Sequence, residues 1–161
     1  MVKRKQEIEL SEEDVIRAQV AKREMIYEKK RAFICMKRDA IYDQLLAVEA
    51  TNDSKAVRRL KSQFNQCEKR LAIIDLREGE DHLVLVQAVL ASLEKQMDAT
   101  KNMNEKSILM KLAEAKDNDV YDAQMSVAQL KKRVAKFETP KAKNKKSAAQ
   151  KGKKSIRGVT R

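Results

Sequence analysis

The chain has 161 residues, of which 37% are charged and only 4% aromatic, with three Gly, one Pro and no Trp. So few turn formers argue against a β fold, and so few large aromatic side chains argue against the compact core of an enzyme domain. The net charge of +12 is uneven: residues 139–161 hold nine Lys/Arg and no acid, whereas residues 1–138 hold 27 basic against 24 acidic residues.

Residues 1–10 form a basic, then mixed, lead that includes Lys3, Arg4 and Lys5. It is charged throughout and lacks the apolar stretch of a signal peptide. Ser11-Glu12-Glu13-Asp14 then opens a helix expected to run to about residue 50, with Ser11 as the cap and three acids on the positive helix end. Val20, Tyr27, Ile34, Ile41 and Val48 recur every seven residues, flanked by Ile16 and Leu45. Met25, Phe33, Met36 and Ala40 make a second apolar set on an adjoining face, which predicts more than one neighbour for this helix.

Thr51-Asn52-Asp53-Ser54 breaks the pattern, and a break this short predicts that the next helix packs antiparallel. That helix is expected over about residues 54–103. Its seam is Val57, Leu60, Phe64, Cys67, Leu71 and Ile74, at alternating steps of three and four. The opposite side of the same turns carries Lys55, Arg58, Arg59 and Lys69. The seam fails at Glu78 and Asp81 and resumes out of phase as Leu83, Val86, Leu90, Leu93 and Met97. Such a jump predicts a local rewinding of the seam or a kink at Gly79. Residues 104–116 and 119–137 read as two shorter helices separated at Asp117-Asn118-Asp119. Thr139-Pro140 ends the ordered part, leaving a Lys-rich tail expected to be disordered.

Nothing in this pattern supports catalysis. His82 is the lone histidine, and it has no nearby Cys or second His for a zinc site. There is no phosphate-binding glycine motif, since the glycines stand at 79, 152 and 158. Cys35 and Cys67 lie in separate helices among apolar neighbours and read as buried thiols of a reducing compartment. No apolar run approaches the length of a membrane span. The expectation is a protein that is not an enzyme and holds no cofactor and no metal. The basic groups offer a different chemistry: Lys or Arg near an anionic lipid surface is worth about 1 kcal/mol each. The tail could equally neutralise nucleic-acid phosphates, non-specifically, because it has no aromatic residue for stacking.

Several short blocks, in order, resemble the ESCRT-III (charged multivesicular body protein) family, and most of all its main filament-forming subunit. Glu24-Met25, Lys29-Lys30 and Phe33 look like that subunit's E-M-x-x-x-K-K-x-x-F stretch. Cys67-Glu68-Lys69-Arg70-Leu71-Ala72-Ile73-Ile74-Asp75 is similar to its Y-E-K-Q-L-A-Q-I-D. Lys101-Asn102-Met103 and Met110-Lys111 look like its K-N-M and A-M-K. The likeness spans roughly residues 11–130, with about two extra residues here between the second and third blocks, in the interval of the phase jump.

The resemblance implies an all-α fold: a long antiparallel helical hairpin, then two short helices and the disordered basic tail. It implies a cytoplasmic subunit, peripheral on endosomal membranes, that self-assembles with other ESCRT-III subunits on an anionic membrane surface. Membrane remodelling, scission and multivesicular-body sorting would follow. It places Lys55, Arg58, Arg59 and Lys61 in the family's membrane-facing part of the second helix, with Lys3, Arg4 and Lys5 as further contacts. Three features depart from the family. Ser62-Gln63-Phe64-Asn65-Gln66 stands where the family has a lysine run, and Met1-Val2-Lys3-Arg4-Lys5 stands where it has an apolar anchor. A basic tail stands in place of the acidic C-terminal region through which an AAA ATPase is recruited, so ATPase recruitment does not carry over. The alternative expectation is a coiled-coil scaffold or non-specific nucleic-acid-binding protein that uses the tail.

Overall fold

A computed structural model describes residues 10–138. They form three α-helices and no strand: α1 (Glu12–Glu49), α2 (Ser54–Ala99) and α3 (Met103–Lys136). Each start is capped as its local sequence dictates. The Ser11 hydroxyl accepts from the Asp14 amide at 3.2 Å. The Asp53 carboxylate accepts from the amides of Lys55 and Ala56, both at 3.1 Å. The Asn102 side chain accepts from the Asn104 amide at 3.0 Å and from that of Glu105 at 3.5 Å. These bonds satisfy first-turn amides that have no partner within the helix. Between α1 and α2 the chain reverses at Asn52, whose φ of 57° is left-handed and tolerable for Asn.

α2, about 70 Å long, is the shared middle element. α1 packs along it and α3 packs along it, with no comparable contact joining α1 to α3. Both outer helices run antiparallel to α2. Arg23 of α1 meets Asp81 while Lys61 meets Glu49, and Lys131 of α3 meets Glu80 while Lys69 meets Glu138. One core cluster joins Tyr27, Ile34 and Ile41 of α1 to Leu60, Cys67, Leu71 and Ile74 of α2, with Cys35, Leu45, Val48 and Phe64 packed against it. A smaller one joins Val86 of α2 to Val120 and Ala123 of α3, with Leu83 and Leu90 beside it.

Two sequence expectations need correction, and a third point follows from the packing of α1. The first concerns the phase jump in α2, which is not a local rewinding of one seam: the helix runs continuously from Ser54 to Ala99, and the apolar residues before and after Gly79 serve different neighbours. The two seams are two different faces: residues 57–74 face α1, and Leu83, Val86 and Leu90 face α3. Glu78 and Asp81 seem to end the first seam only because they are read as polar. They remain on the α1 side and are bonded to Arg31 and to Arg23.

The second correction concerns α3, which is one long helix rather than two short ones. Leu109, Ala113, Lys116, Val120, Ala123, Val127, Leu130 and Val134 alternate in steps of four and three, and each is buried or half-buried. This line runs straight through Asp117-Asn118-Asp119. Three residues of modest helix propensity cost at most about 0.7 kcal/mol each, and burial of the apolar line on both sides outweighs that. Lys116 also pairs with Asp119 at 2.8 Å across the supposed break. The second helix correspondingly ends at Ala99, earlier than expected.

The third point concerns α1, which among the described residues packs along α2 alone, so that its second apolar set has no neighbour there. Met25, Phe33 and Met36 are 61%, 68% and 74% exposed, and Ala40 is exposed as well. The expected disordered tail, residues 139–161, and the lead with Lys3, Arg4 and Lys5 lie outside the described residues.

Gly79 sets how closely α3 approaches α2. A Cβ there would stand 2.9 Å from Leu130 Cδ1 and 3.6 Å from Val127 Cγ2. Gly79→Ala asks only the flexible end of Leu130 to move, and the helix gains about 1 kcal/mol from losing a glycine. Its stability should stay within about 1 kcal/mol of the parent in urea unfolding. Gly79→Leu cannot be absorbed in this way and should push α3 outward. Amide exchange over residues 120–134 should then accelerate at least tenfold, while residues 27–45 and 60–74 keep their protection.

Candidate functional site

The described residues include the histidine and both cysteines of the chain. None of their His, Cys, Asp and Glu side chains cluster in a group that could hold a metal ion. His82 is exposed and borders a shallow hollow with Val86, Lys116 and Asp119. Cys67 is buried and Cys35 half-buried, both as free thiols. No described helix is long and apolar enough to cross a membrane. What the molecule does offer is charged surface and exposed apolar surface, each set by helical position.

The basic candidates of α2 lie near the turn that joins it to α1. Lys55, Arg58, Arg59 and Lys61 are all exposed. Lys61 reaches Glu49 at 3.6 Å, an ion pair of little energetic weight at such exposure. The α1-facing residues of the same turns close off the other side: Leu60, Cys67, Leu71 and Ile74 are buried, and Val57 and Phe64 half-buried. α3 stops short of this region, where Lys69 lies 3.9 Å from Glu138. Phe137, just past the end of α3, shares a shallow recess with Arg58, Lys61, Ser62, Asn65, Gln66 and Lys69. The final turn of α3 brings Arg133 and Lys136 towards the same end. One end of the molecule is therefore densely cationic, and it is the end from which residues 139–161 continue.

Sequence reading missed the ionic ladder that fixes α1 on α2. Arg38 donates to Glu68 at 3.2 Å, Arg31 donates to Asp75 at 2.9 Å and also to Glu78, and Arg23 donates to Asp81 at 2.8 Å. The signal was present: Arg31 and Arg38 stand seven apart beside Ile34 and Ile41, and Glu68 and Asp75 stand seven apart beside Cys67 and Ile74. These are the flanking positions of a heptad seam, where opposite charges set register and orientation. Asp75 serves both outer helices, since its second oxygen accepts from Arg133 of α3 at 3.1 Å. Bonding to Glu78, and secondarily to Asp75, raises the pKa of Arg31 further above its already high ordinary value.

Tyr27 joins this ladder by donating its hydroxyl to Asp81 at 3.1 Å. Burial of the ring, then this bond and the Asp81 charge, raise the phenol above the ordinary tyrosine value. The neutral phenol is thus the form that the fold favours. Its stabilising contribution is complete below the unfolded-state value near 10 and is lost as pH rises through the raised folded value.

Comparison of the chain with protein-family models, with curated proteins and with solved structures finds no match.

The Tyr27–Asp81 contact can be followed by alkaline titration of phenolate absorbance. In the parent chain one tyrosine should titrate above the ordinary value. Asp81→Asn should move that tyrosine part of the way back, since burial of the ring persists. The same substitution should cost about 1 kcal/mol in urea unfolding at neutral pH, a loss that shrinks as salt is added.

Proposed function

We propose that this chain is a non-enzymatic assembly subunit of the ESCRT-III kind, which polymerises on anionic membranes and remodels them. It would act in the cytoplasm, peripherally on endosomal membranes, with copies of itself and other subunits of that kind as partners. The observation that carries this reading is the division of labour on α2. One side is consumed by the α1 seam, while Lys55, Arg58 and Arg59 stay exposed on the other. The ordered sequence blocks that resemble the main filament-forming subunit support the same reading. Exposed apolar side chains at Met25, Phe33 and Met36 supply the unsatisfied surface that an assembling subunit needs.

A second reading has its own support. The chain leaves the described region at the cationic end, beside Lys69, and continues into 23 residues with nine Lys/Arg and no acid. A polycationic segment on the same chain as an exposed basic surface suits non-specific binding of nucleic-acid phosphates by a coiled-coil scaffold.

Sedimentation with phosphatidylserine vesicles separates the two. Charge reversal at Lys55, Arg58 and Arg59 removes three contacts worth about 1 kcal/mol each, so vesicle affinity should fall at least 100-fold. Unchanged vesicle binding in that variant removes the membrane face. If the parent never sediments with vesicles, and nucleic-acid binding vanishes when residues 139–161 are deleted, the scaffold reading holds instead.

A further inference from the structure

α1 and α3 each carry a second line of residues on the side turned away from α2, and neither line is covered by another helix among the described residues. On α1 it is Ala18, Lys22, Met25, Lys29, Ala32 and Met36, at alternating steps of four and three, all exposed. On α3 it is Met103, Met110, Glu114, Asp117, Tyr121 and Met125, again all exposed. Met103 is 78% and Tyr121 61% exposed, unusual values for large apolar side chains. The α1 line follows heptad spacing, and the α3 line does so from Met103 to Tyr121, with Met125 one position beyond it; this is the pattern of a helix that lies along another helix. Their charges are opposite in sign: lysines interrupt the α1 line, and acids interrupt the α3 line. Among the described residues Lys22, Lys29, Glu114 and Asp117 form no ion pair.

We propose that the outer line of α1 in one copy docks on the outer line of α3 in a second copy. The geometry suits such a contact. Both helices run antiparallel to α2 and so run parallel to each other, and Asp75 holds Arg31 and Arg133 at one level. A copy displaced sideways therefore sets its α1 parallel to the neighbour's α3. A shift of about 10–15 Å along the helices, roughly seven to ten residues of rise, brings Lys22 level with Asp117 or Glu114 of the neighbour. With Lys22 level with Asp117, Met25 comes within about one residue's rise of Tyr121. The two surfaces are different, so the contact is head-to-tail: each copy keeps one free α1 line and one free α3 line, and the array grows without closing at two. Charge complementarity selects this pairing, because α1 on α1 would oppose lysines and α3 on α3 would oppose acids. The inference rests on the assembly reading for its biological purpose, but it makes no use of the membrane.

The test uses the full chain without lipid, at low salt, in sedimentation velocity. The parent should associate. Lys22→Glu with Lys29→Glu, and separately Glu114→Lys with Asp117→Lys, should each weaken association at least tenfold. Mixed together, the two variants should associate again, because each supplies the sign that the other lacks. The recovery also shows that both are folded. A parent that stays monomeric, a single variant that associates as the parent does, or a mixture that stays apart each overturns the proposal. If Lys22→Glu with Lys29→Glu loses vesicle binding but keeps its association in solution, the α1 line is a lipid contact and the proposal falls. Failure of the membrane reading is distinct: there the Lys55, Arg58 and Arg59 reversal leaves vesicle binding unchanged, whatever happens in solution.

Discussion

α2 has to serve two neighbours at once, and its sequence divides it between them. Around residues 57–74 the apolar side faces α1, and around residues 83–90 it faces α3. The hand-over falls at Glu78–Asp81, where neither seam supplies a large apolar side chain on the α1 side. The arginine–carboxylate ladder bridges that gap. Without it, the middle of α1 would lie against two acids that have no partners. Asp75 extends the same device to α3 by accepting from Arg133 as well as Arg31.

The ladder sets register more than it supplies stability. Its groups are partly exposed, with Arg31 and Asp75 at 32% and 30% of their side-chain surface. Pairs in that setting are worth about 0.2–1 kcal/mol each. A fully buried Leu or Ile contributes about 1.5–3 kcal/mol, so the seven buried side chains of the α1–α2 cluster dominate the sum. A slip of one heptad would preserve much of the apolar contact but, because the charges share that spacing, would keep only one of the two arginines on a carboxylate of the ladder, Arg38 on Asp75 or Arg31 on Glu68. In this way the charges choose among alignments that the apolar residues would tolerate.

Much of the fold was legible because heptad spacing survives in a single sequence. Val20, Tyr27, Ile34 and Ile41 are all buried, as their seven-residue repeat implies, and α1 begins at its Ser11 cap. The misreadings of α2 and α3 share one cause: polar residues were taken as boundaries. Asp117-Asn118-Asp119 looked like a break, yet those positions only continue the exposed side of an unbroken helix. Glu78 and Asp81 looked like a failure of the seam, and their arginine partners lie some fifty residues away in the chain. The exposed set Met25, Phe33 and Met36 was legible as apolar, but sequence alone does not say whether such a line is covered from within. For the basic residues, sequence gave the charges of Lys55, Arg58 and Arg59. Their position past the end of α3 follows from tertiary packing, which no local pattern encodes.

Among the described residues only thirteen hydrophobic side chains are buried, and they lie in narrow strips along α2 instead of in a central mass. The heat capacity of unfolding scales with the apolar surface that is newly hydrated. A molecule that buries so little per residue should fall below the usual value of about 12–15 cal/mol/K per residue. Its free energy of unfolding would then bend only gently with temperature, giving a broad, flat-topped stability curve. Cooling would weaken it little, and heating would unfold it over a wide interval.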